Sequence, residues 1–243
     1  MKKFELTTEF ITSFLGTKLF RIKTLVKFGD VEKGELGGFV EKEENLEHYG
    51  NAWVSGGAIV FGDARVSGDA IVYEGARVYG NAKVSGCARV YGNARVSGDA
   101  LVTGYAMVSG HAQVSGYARV YGDAEVSGCA IVSEYARVHE DALVCGNTIV
   151  RGDAIVSGDA LVCGDQMYAT VKGFGSKCRD TTFFVTKDGN VCVNCGCFSG
   201  TLEQFREKVK ETHKDTEFAK EYLVIADLME MHFKEELEKI KKQ

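Results

Sequence analysis

Valine recurs at every sixth position from Val54 to Val162, and this register holds without interruption. An alanine stands two residues before each of these valines, except before Val150, where Thr148 replaces it. In each Ala-x-Val unit the alanine and the valine share one face and the middle residue takes the other, which is the alternation of a short, half-buried strand. A short fixed period of this kind indicates a repeat architecture, in which one coil stacks on the next.

Glycine usually follows the valine at the second position, as Gly68 follows Val66, and there it supplies a turn with positive φ. The unit resembles the hexapeptide repeat of left-handed parallel β-helices. This resemblance implies a three-sided coil of eighteen residues with the valines on its axis, and it also implies the left hand. We therefore predict a mainly β fold, a left-handed parallel β-helix with a small α+β C-terminal module.

The period divides the chain into three regions. Residues 1–50 are irregular and are expected to cap the first coil, so that its backbone is not left unpaired. Residues 51–166 form the regular β-helix. The period then breaks, and residues 167–243 are predicted to form a hairpin followed by two helices.

Local signals place these C-terminal elements. Asp188-Gly189 between two apolar runs predicts a hairpin with a type I′ turn. Thr201 and Gln204 make a capping box that predicts the start of the first helix. A second helix is predicted from about Thr216 to near the end of the chain. Its apolar stripe is expected to contain Phe218, Tyr222, Ile225, Leu228, Met229 and Phe233.

Motifs outside the repeat carry a wider resemblance. The run from Phe20 to Ile22 and the run from Gly34 to Glu41 precede the repeat, and the run from Cys195 to Leu202 follows it. With these motifs the chain resembles a family of bacterial and prophage hexapeptide-repeat proteins, labelled polymer-forming cytoskeletal or putative transferase, with a C-terminal module of phage type. The resemblance implies the fold, but this family has no settled activity to transfer.

Composition narrows the function classes. The chain has 243 residues, of which 45% are hydrophobic, and it can therefore bury a sizeable core. Its net charge of −5 argues against nucleic-acid binding, and no apolar run is long enough to span a membrane. Glu5 and Glu9 interrupt any signal-peptide core. Because the eight cysteines lack the pattern of a secreted disulfide framework, a cytoplasmic protein is expected.

Two histidines within the repeat are the candidates for catalysis. Proteins with a similar hexapeptide repeat include acyltransferases, which use a histidine as general base at a subunit interface. His111 and His139 are 28 residues apart, which is not a multiple of eighteen, so they are not expected to stack. The repeat also lacks an inserted loop that would build a cleft wall. Acyl transfer is therefore the alternative function, and the γ-carbonic anhydrase zinc site, which needs three histidines, is disfavoured.

The cysteines give only weak evidence for a metal site or another functional site. Four of them are enough by number for a structural zinc site: Cys178, Cys192, Cys195 and Cys197. Their spacing is not that of paired C-x₂-C motifs, so reduced, partly buried thiols are favoured and no cofactor is expected. Cys129 lies eighteen residues after His111, and Cys163 lies eighteen after Cys145. We expect both pairs to be neighbours in ordinary surface ladders.

The outward positions of one side carry most of the remaining information. At intervals of eighteen they form a mostly basic column of Arg65, Lys83, Leu101, Arg119, Arg137 and Ile155. Like charges at strand spacing repel one another, so the column requires either nearby acids or an anionic partner. Tyrosines also pair at this interval. They are Tyr73 with Tyr91 and Tyr117 with Tyr135.

Tyrosine beside arginine is typical of binding surfaces. The sequence therefore favours a non-enzymatic binding or scaffold protein, a homo-oligomer that uses the flat faces of its β-helix for self-association. Its expected partner is a host protein or a small, nucleotide-like anion, in a phage or prophage setting.

Overall fold

Each of the nineteen repeat units forms a strand of two residues, from Trp53–Val54 to Leu161–Val162. A computed structural model describes residues 2–175 and 177–242 of the chain. Strands that are eighteen residues apart pair in parallel, so that Val90 lies between Val72 and Val108. Three units therefore close one coil, and the predicted mainly β parallel solenoid is confirmed. The hand of the coil stays a prediction from the resemblance.

The strands are numbered in chain order. The first three are β1 (Phe4–Thr12), β2 (Lys18–Thr24) and β3 (Leu36–Val40). The repeat contributes β4 (Trp53–Val54), β5 (Ile59–Val60), β6 (Arg65–Val66), β7 (Ile71–Val72), β8 (Arg77–Val78), β9 (Lys83–Val84), β10 (Arg89–Val90), β11 (Arg95–Val96), β12 (Leu101–Val102), β13 (Met107–Val108), β14 (Gln113–Val114), β15 (Arg119–Val120), β16 (Glu125–Val126), β17 (Ile131–Val132), β18 (Arg137–Val138), β19 (Leu143–Val144), β20 (Ile149–Val150), β21 (Ile155–Val156) and β22 (Leu161–Val162). The C-terminal region adds β23 (Tyr168–Val171), β24 (Thr181–Val185), β25 (Val191–Cys195), β26 (Phe198–Thr201), α1 (Leu202–His213) and α2 (Glu217–Ile240).

Three sheets form the sides of the solenoid. Sheet A has nine strands in the order β1-β2-β3-β5-β8-β11-β14-β17-β20. Sheet B has seven, β4-β7-β10-β13-β16-β19-β22, and sheet C has six, β6-β9-β12-β15-β18-β21. A fourth sheet, sheet D, is antiparallel and contains β23-β24-β25-β26.

The core of the solenoid is a column of small side chains. The valines and alanines of the repeat are almost completely buried and make one continuous cluster. Thr148, which breaks the alanine series, is fully buried too, and its hydroxyl donates a hydrogen bond to the carbonyl of Cys145 at 2.8 Å. A hydroxyl is therefore tolerated inside the coil because its hydrogen bond is made locally.

The turns need a left-handed backbone conformation. Gly92 has φ +70°, and a Cβ there would lie 2.9 Å from the backbone nitrogen of Gly110 in the next coil. Three glutamates adopt the same conformation in place of glycine: Glu74, Glu134 and Glu140. Each carboxylate accepts a hydrogen bond from a glycine N–H one coil later. These bonds offset the backbone strain of a side chain at positive φ.

The N-terminal cap extends sheet A. Strands β1, β2 and β3 pair antiparallel, and β3 then pairs in parallel with β5 of the repeat. A short 3-10 helix, Glu43–Asn45, follows, and its Asn45 amide donates to the carbonyls of Gly62 and Ala64. Lys3 is buried beside them and donates to the carbonyl of Ala52 at 2.8 Å. Burial lowers the pKa of Lys3 to about 8.

Sheet D closes the other end of the solenoid. Phe184 projects from β24 into the valine core, while Phe183 faces helices α1 and α2 in a second core. The Asn194 amide donates to the carbonyl of Ile155 at 2.9 Å, and the Thr182 hydroxyl accepts from the Ile155 N–H at 3.2 Å. The C-terminal region thus pairs with the last coil by hydrogen bonds and an apolar plug, and it acts as a cap.

Two local predictions for the C-terminal region are wrong. The loop of residues 186–190 is longer than a two-residue turn, and of its members only Gly189 has positive φ, whereas a type I′ turn needs two such residues. Both Phe218 and Leu228 are more than 40% exposed. Ala219 and Ala226 take the buried positions beside Tyr222 instead, because small residues allow α2 to approach sheet D closely. The capping box of Thr201 with Gln204 is confirmed.

Candidate binding surface

The basic column lies on the outer face of sheet C in the predicted register. Its members are neighbours in parallel strands, so that Arg119 lies between Leu101 and Arg137. The arginines and Lys83 are exposed, whereas Leu101 and Ile155 are half-buried. Leu101 therefore divides the column into an N-terminal pair of cations and a C-terminal pair.

Stacked rings border the C-terminal pair on both sides. Tyr117 and Tyr135 stack with their ring centroids 5.1 Å apart, and these rings are 55% and 59% exposed. On the other side of the arginines, Tyr121 and His139 stack at 4.7 Å. Arg119 and Arg137 thus run between two aromatic walls. The Tyr117–Tyr135 pair is predicted from the sequence. The second wall is not among the predicted pairs, although Tyr121 and His139 are also eighteen residues apart.

His139 is the more constrained of the two catalytic candidates. Burial lowers its pKa, and the nearby Arg137 lowers it further, while Glu140, whose carboxylate lies 3.7 Å from Nδ1, acts in the opposite direction. His111 lies in a turn of sheet A and is exposed. The two histidines therefore lie on different sides of the solenoid, as the spacing predicts.

A cleft of about 410 Å³ opens where sheet C meets the C-terminal cap, and we call it the junction cleft. It is lined by Tyr135, Arg137, Asp153, Ile155, Lys172, Cys178, Arg179, Asp180, Thr182, Asn194 and Gly196. Neither candidate histidine is in this lining. Its volume falls in the range of small-molecule sites.

Three cations and two carboxylates line the junction cleft. The Asp180 side chain is only 5% exposed, because it accepts a hydrogen bond from the Asp153 N–H and pairs with Lys172 at 3.3 Å. In the part of the chain that the structure describes, Arg137 and Arg179 have no carboxylate within 4.0 Å. The sequence could not predict Lys172 and Arg179 as site residues, since they lie outside the repeat.

The N-terminal half of the column faces a different environment. Arg65 and Lys83 line a groove of about 660 Å³ together with the acidic segment of the N-terminal cap. The carboxylates of this groove are Glu43, Glu44 and Glu47. Nearby, Lys42 forms an ion pair with Asp63 at 2.8 Å, and the pKa of Asp63 is lowered mainly by Lys42 and slightly by Arg65. This end of the column therefore lies among acids of the same chain.

The other predicted pair, Tyr73 and Tyr91, does stack, at 4.9 Å. It follows strands β7 and β10, however, and so borders sheet B. Burial raises the pKa of Tyr73. These tyrosines are not part of the surface formed by Arg119 and Arg137, because each Tyr follows a valine of another side of the coil.

The four cysteines that are weak candidates for zinc lie in different surroundings. Cys192 packs on the solenoid core and Cys195 on the helical core, because successive residues of β25 alternate between the two faces of sheet D. Cys178 and Cys197 are exposed. Within residues 2–175 and 177–242, no three His, Cys, Asp or Glu side chains are placed to hold a metal ion.

A different cysteine pair is joined. Cys145 and Cys163, which the repeat places on adjacent coils, form a disulfide. The spacing of eighteen residues correctly predicts that they are neighbours, but the expected ordinary surface ladder is instead a covalent bond. Because both residues follow a valine of sheet B, they lie at the C-terminal end of that side, away from the junction cleft.

Comparison with known proteins bears on the repeat. Residues 88–104 and 94–110 match a family model described as the YdcK beta solenoid repeat. The chain is similar to that repeat over this stretch. The stretch ends before Tyr117, so the YdcK likeness supports the solenoid and carries no information on the junction cleft. No curated protein matches the chain. Neither of the two described helices is long and apolar enough to cross a membrane.

Proposed function

We propose that this is a non-catalytic binding protein that takes a small, nucleotide-like anion at the C-terminal half of sheet C. One observation carries the proposal. Arg119 and Arg137 lie side by side between two aromatic walls, and within the described chain neither has a carboxylate within 4.0 Å. The same surface opens into the junction cleft, where Arg179 adds a further cation.

Charge is the first reason for an anionic ligand. Parallel neighbours are roughly 4.8 Å apart, so the guanidinium groups of Arg119 and Arg137 repel each other across a short distance. A phosphate placed between them would relieve this repulsion. The planar guanidinium fork also matches the oxygens of a phosphate, which makes arginine better suited than lysine to this contact.

The aromatic walls are the reason for a planar group in the ligand. The rings of Tyr117 and Tyr135 stack along the solenoid, and the next member of their column is Asp153. The free face of Tyr135 therefore looks into the junction cleft. A nucleobase or a similar ring would continue the stack there, while its phosphate lies between Arg119 and Arg137.

Calorimetry with three probes tests this proposal. We expect adenosine 5′-monophosphate to bind more tightly than adenosine, which lacks the charge, and more tightly than inorganic phosphate, which lacks the ring. Tyr135→Ala should weaken binding of the monophosphate about tenfold, since an aromatic stack contributes on the order of 1 kcal/mol. Tyr91→Ala, which removes a stacked tyrosine beside sheet B, should leave binding unchanged. Equal affinity for all three probes, or no binding at millimolar concentration, would refute the proposal.

The wider setting of the proposal comes from the family resemblance. We propose a cytoplasmic protein of phage or prophage type, in which the anion is a host molecule. A host protein with a phosphorylated or acidic surface is the alternative partner. It would be indicated if Arg137→Glu abolished the capture of such a protein while none of the three small probes bound. The acyl-transfer alternative gains no support from the cleft, whose lining contains neither His111 nor His139.

A further inference from the structure

Sheet B carries a symmetric arrangement of charge and apolar side chains. Its outward residues, one from each coil, are Trp53, Ile71, Arg89, Met107, Glu125, Leu143 and Leu161. Met107 is the middle member. Arg89 and Glu125 flank it with opposite charges, and apolar residues continue the series in both directions. The column thus has the same apolar pattern from either end, with the sign of the charge exchanged.

The central part of this column is open. Ile71, Met107, Glu125 and Leu143 are half-buried, and Arg89 is exposed. In the described part of the chain, neither Arg89 nor Glu125 has an opposite charge within 4.0 Å. Trp53 is different, since Phe28 of the N-terminal cap packs against it with ring centroids 5.5 Å apart. The exposed series therefore runs from Ile71 towards the C-terminal cap.

We infer that sheet B is the interface of a two-fold symmetric dimer in which a second copy of this chain packs antiparallel, with Met107 on the two-fold axis. A rotation of 180° about the strand direction reverses the order of the coils. It places Arg89 opposite the partner's Glu125, and by symmetry it makes the reciprocal pair as well. Ile71 then meets the partner's Leu143, and Met107 meets the partner's Met107.

The parallel alternative is disfavoured by the same residues. With both solenoids running in one direction, each coil would meet its own copy. Arg89 would then lie against a second arginine and Glu125 against a second glutamate, which is a repulsive arrangement at both positions. The distribution of charge in sheet B thus selects the antiparallel dimer.

Tyr105 supports the position of the axis. It lies in the same coil as Met107, two residues earlier, and is 65% exposed. In the antiparallel dimer the middle coil faces the middle coil of the partner, so the two copies of this ring come together. Tyrosine is enriched at the cores of protein interfaces.

The size of the surface sets the expected affinity. Five coils at roughly 4.8 Å, on a face about 15 Å wide, give on the order of 400 Å² per copy, which is at the low end for specific interfaces. The dimer should therefore be concentration-dependent. Because its two ion pairs lie near the middle of the contact, it should also weaken in high salt.

Sedimentation velocity over a concentration series from 1 to about 200 μM tests the dimer. We expect the wild type to shift from monomer to dimer within this range. Arg89→Glu and Glu125→Arg should each shift the midpoint at least tenfold upward, since each variant places like charges opposite each other. An equimolar mixture of the two variants should dimerise again. The doubly exchanged variant, R89E with E125R, should dimerise by itself.

Arg95→Glu is the matched control, because Arg95 is an exposed outward arginine of β11 in sheet A. This substitution should leave the midpoint concentration of dimerisation unchanged. A wild type that stays monomeric throughout the series, a doubly exchanged variant that stays monomeric, or an equal effect of Arg95→Glu would each overturn the inference. Thermal melting of every variant separates loss of the dimer from loss of the fold.

This inference does not depend on the proposed anion site. Sheet B and the junction cleft lie on different sides of the solenoid. Arg137→Glu should therefore abolish anion binding without changing the midpoint of dimerisation, and Arg89→Glu should do the reverse.

Discussion

The two halves of the basic column of sheet C contain the same kind of residue in different surroundings. Arg65 and Lys83 share a groove with three glutamates of the N-terminal cap. Arg119 and Arg137 lie between aromatic walls, and Arg137 shares a cleft with the cations of the C-terminal cap. The repeat places these four cations in one column, but the caps decide whether a cation shares a groove with three glutamates or a cleft with two further cations.

This difference follows from what the caps must do. Each cap has to satisfy the backbone of one terminal coil, and neither follows the six-residue period. The N-terminal cap does so with acidic side chains as well, since Glu41 accepts a hydrogen bond from the Gly62 N–H and Glu47 from the Gly68 N–H. The C-terminal cap uses the amide of Asn194, the hydroxyl of Thr182 and the carboxylate of Asp180, which also pairs with Lys172. The three glutamates of the N-terminal cap share a groove with Arg65 and Lys83, whereas the Asp180 carboxylate is paired with a cation of its own cap.

The largest expected effect concerns the core that both halves share. Val108→Asp would place a carboxylate at the middle of the solenoid, where no described side chain can pair with it. Burying such an unpaired charge costs on the order of 5 kcal/mol, which is comparable with the whole stability of a domain. We expect loss of soluble, cooperatively folded protein, measured by expression and by urea unfolding. A soluble variant with a cooperative transition would contradict the valine core.

Charge reversal compares the two halves directly. The double variant of Arg119→Glu and Arg137→Glu should weaken binding of adenosine 5′-monophosphate at least 100-fold, since two charge-assisted contacts contribute about 3 kcal/mol together. The matched double variant of Arg65→Glu and Lys83→Glu should change it less than twofold. Calorimetry measures both. Equal losses from the two variants would show that the whole column, and not its C-terminal half, binds the anion.

The pH dependence of anion binding tests whether the anion lies beside the aromatic wall that contains His139. Burial and Arg137 hold the pKa of His139 below its ordinary value of 6.5, so the free protein keeps this imidazole neutral at pH 7. A bound anion nearby raises that pKa, and binding then takes up a proton. Relative to a variant without this imidazole, affinity should therefore rise about threefold between pH 7.5 and 5.5, as expected for a modest favourable interaction with the imidazolium.

His139→Gln supplies the comparison for this measurement. The phosphate of the ligand also titrates in the same range, but it does so equally for both proteins. The difference between their pH profiles therefore reports His139 alone. Parallel profiles would place the anion away from this wall.

The smallest expected effect is the gain of a second site. Replacing Glu43, Glu44 and Glu47 by Gln removes the carboxylates that face Arg65 and Lys83, while the amide oxygens can still accept the existing hydrogen bonds. We expect inorganic phosphate to bind the triple variant more tightly than the wild type by about 0.5 kcal/mol, because the two exposed cations then have no carboxylates beside them. Phosphorus NMR titration of the wild type and of the triple variant checks this. If the two titrations are the same, the shape of the groove, and not its carboxylates, prevents phosphate from binding to Arg65 and Lys83.

Prediction from the sequence succeeds where local rules repeat. One six-residue period predicts the burial of Ala and Val, the interval at which strands pair, and the basic column. Because the period is repeated, the assignment of each strand supports that of the next. The stack of Tyr121 with His139 follows from the same interval of eighteen residues and could have been predicted from it. Nothing periodic predicts the contact of Asn194 with Ile155, because it joins residues 39 apart in regions of different architecture. Lys172 and Arg179 enter the cleft because contacts of this kind hold the C-terminal cap on the last coil.

In a three-sided coil, the number of repeat units determines which side of the solenoid the C-terminal cap faces. Removing eighteen residues from the repeat would shorten the solenoid by one level and leave the C-terminal cap above the same side. Removing a single hexapeptide would turn that cap by one third of a revolution, and Arg179 would then face another sheet instead of Arg137. Insertions or deletions of three units therefore preserve the proposed binding surface between sheet C and the C-terminal cap. Insertions or deletions of one or two units would place the cap beside a different sheet.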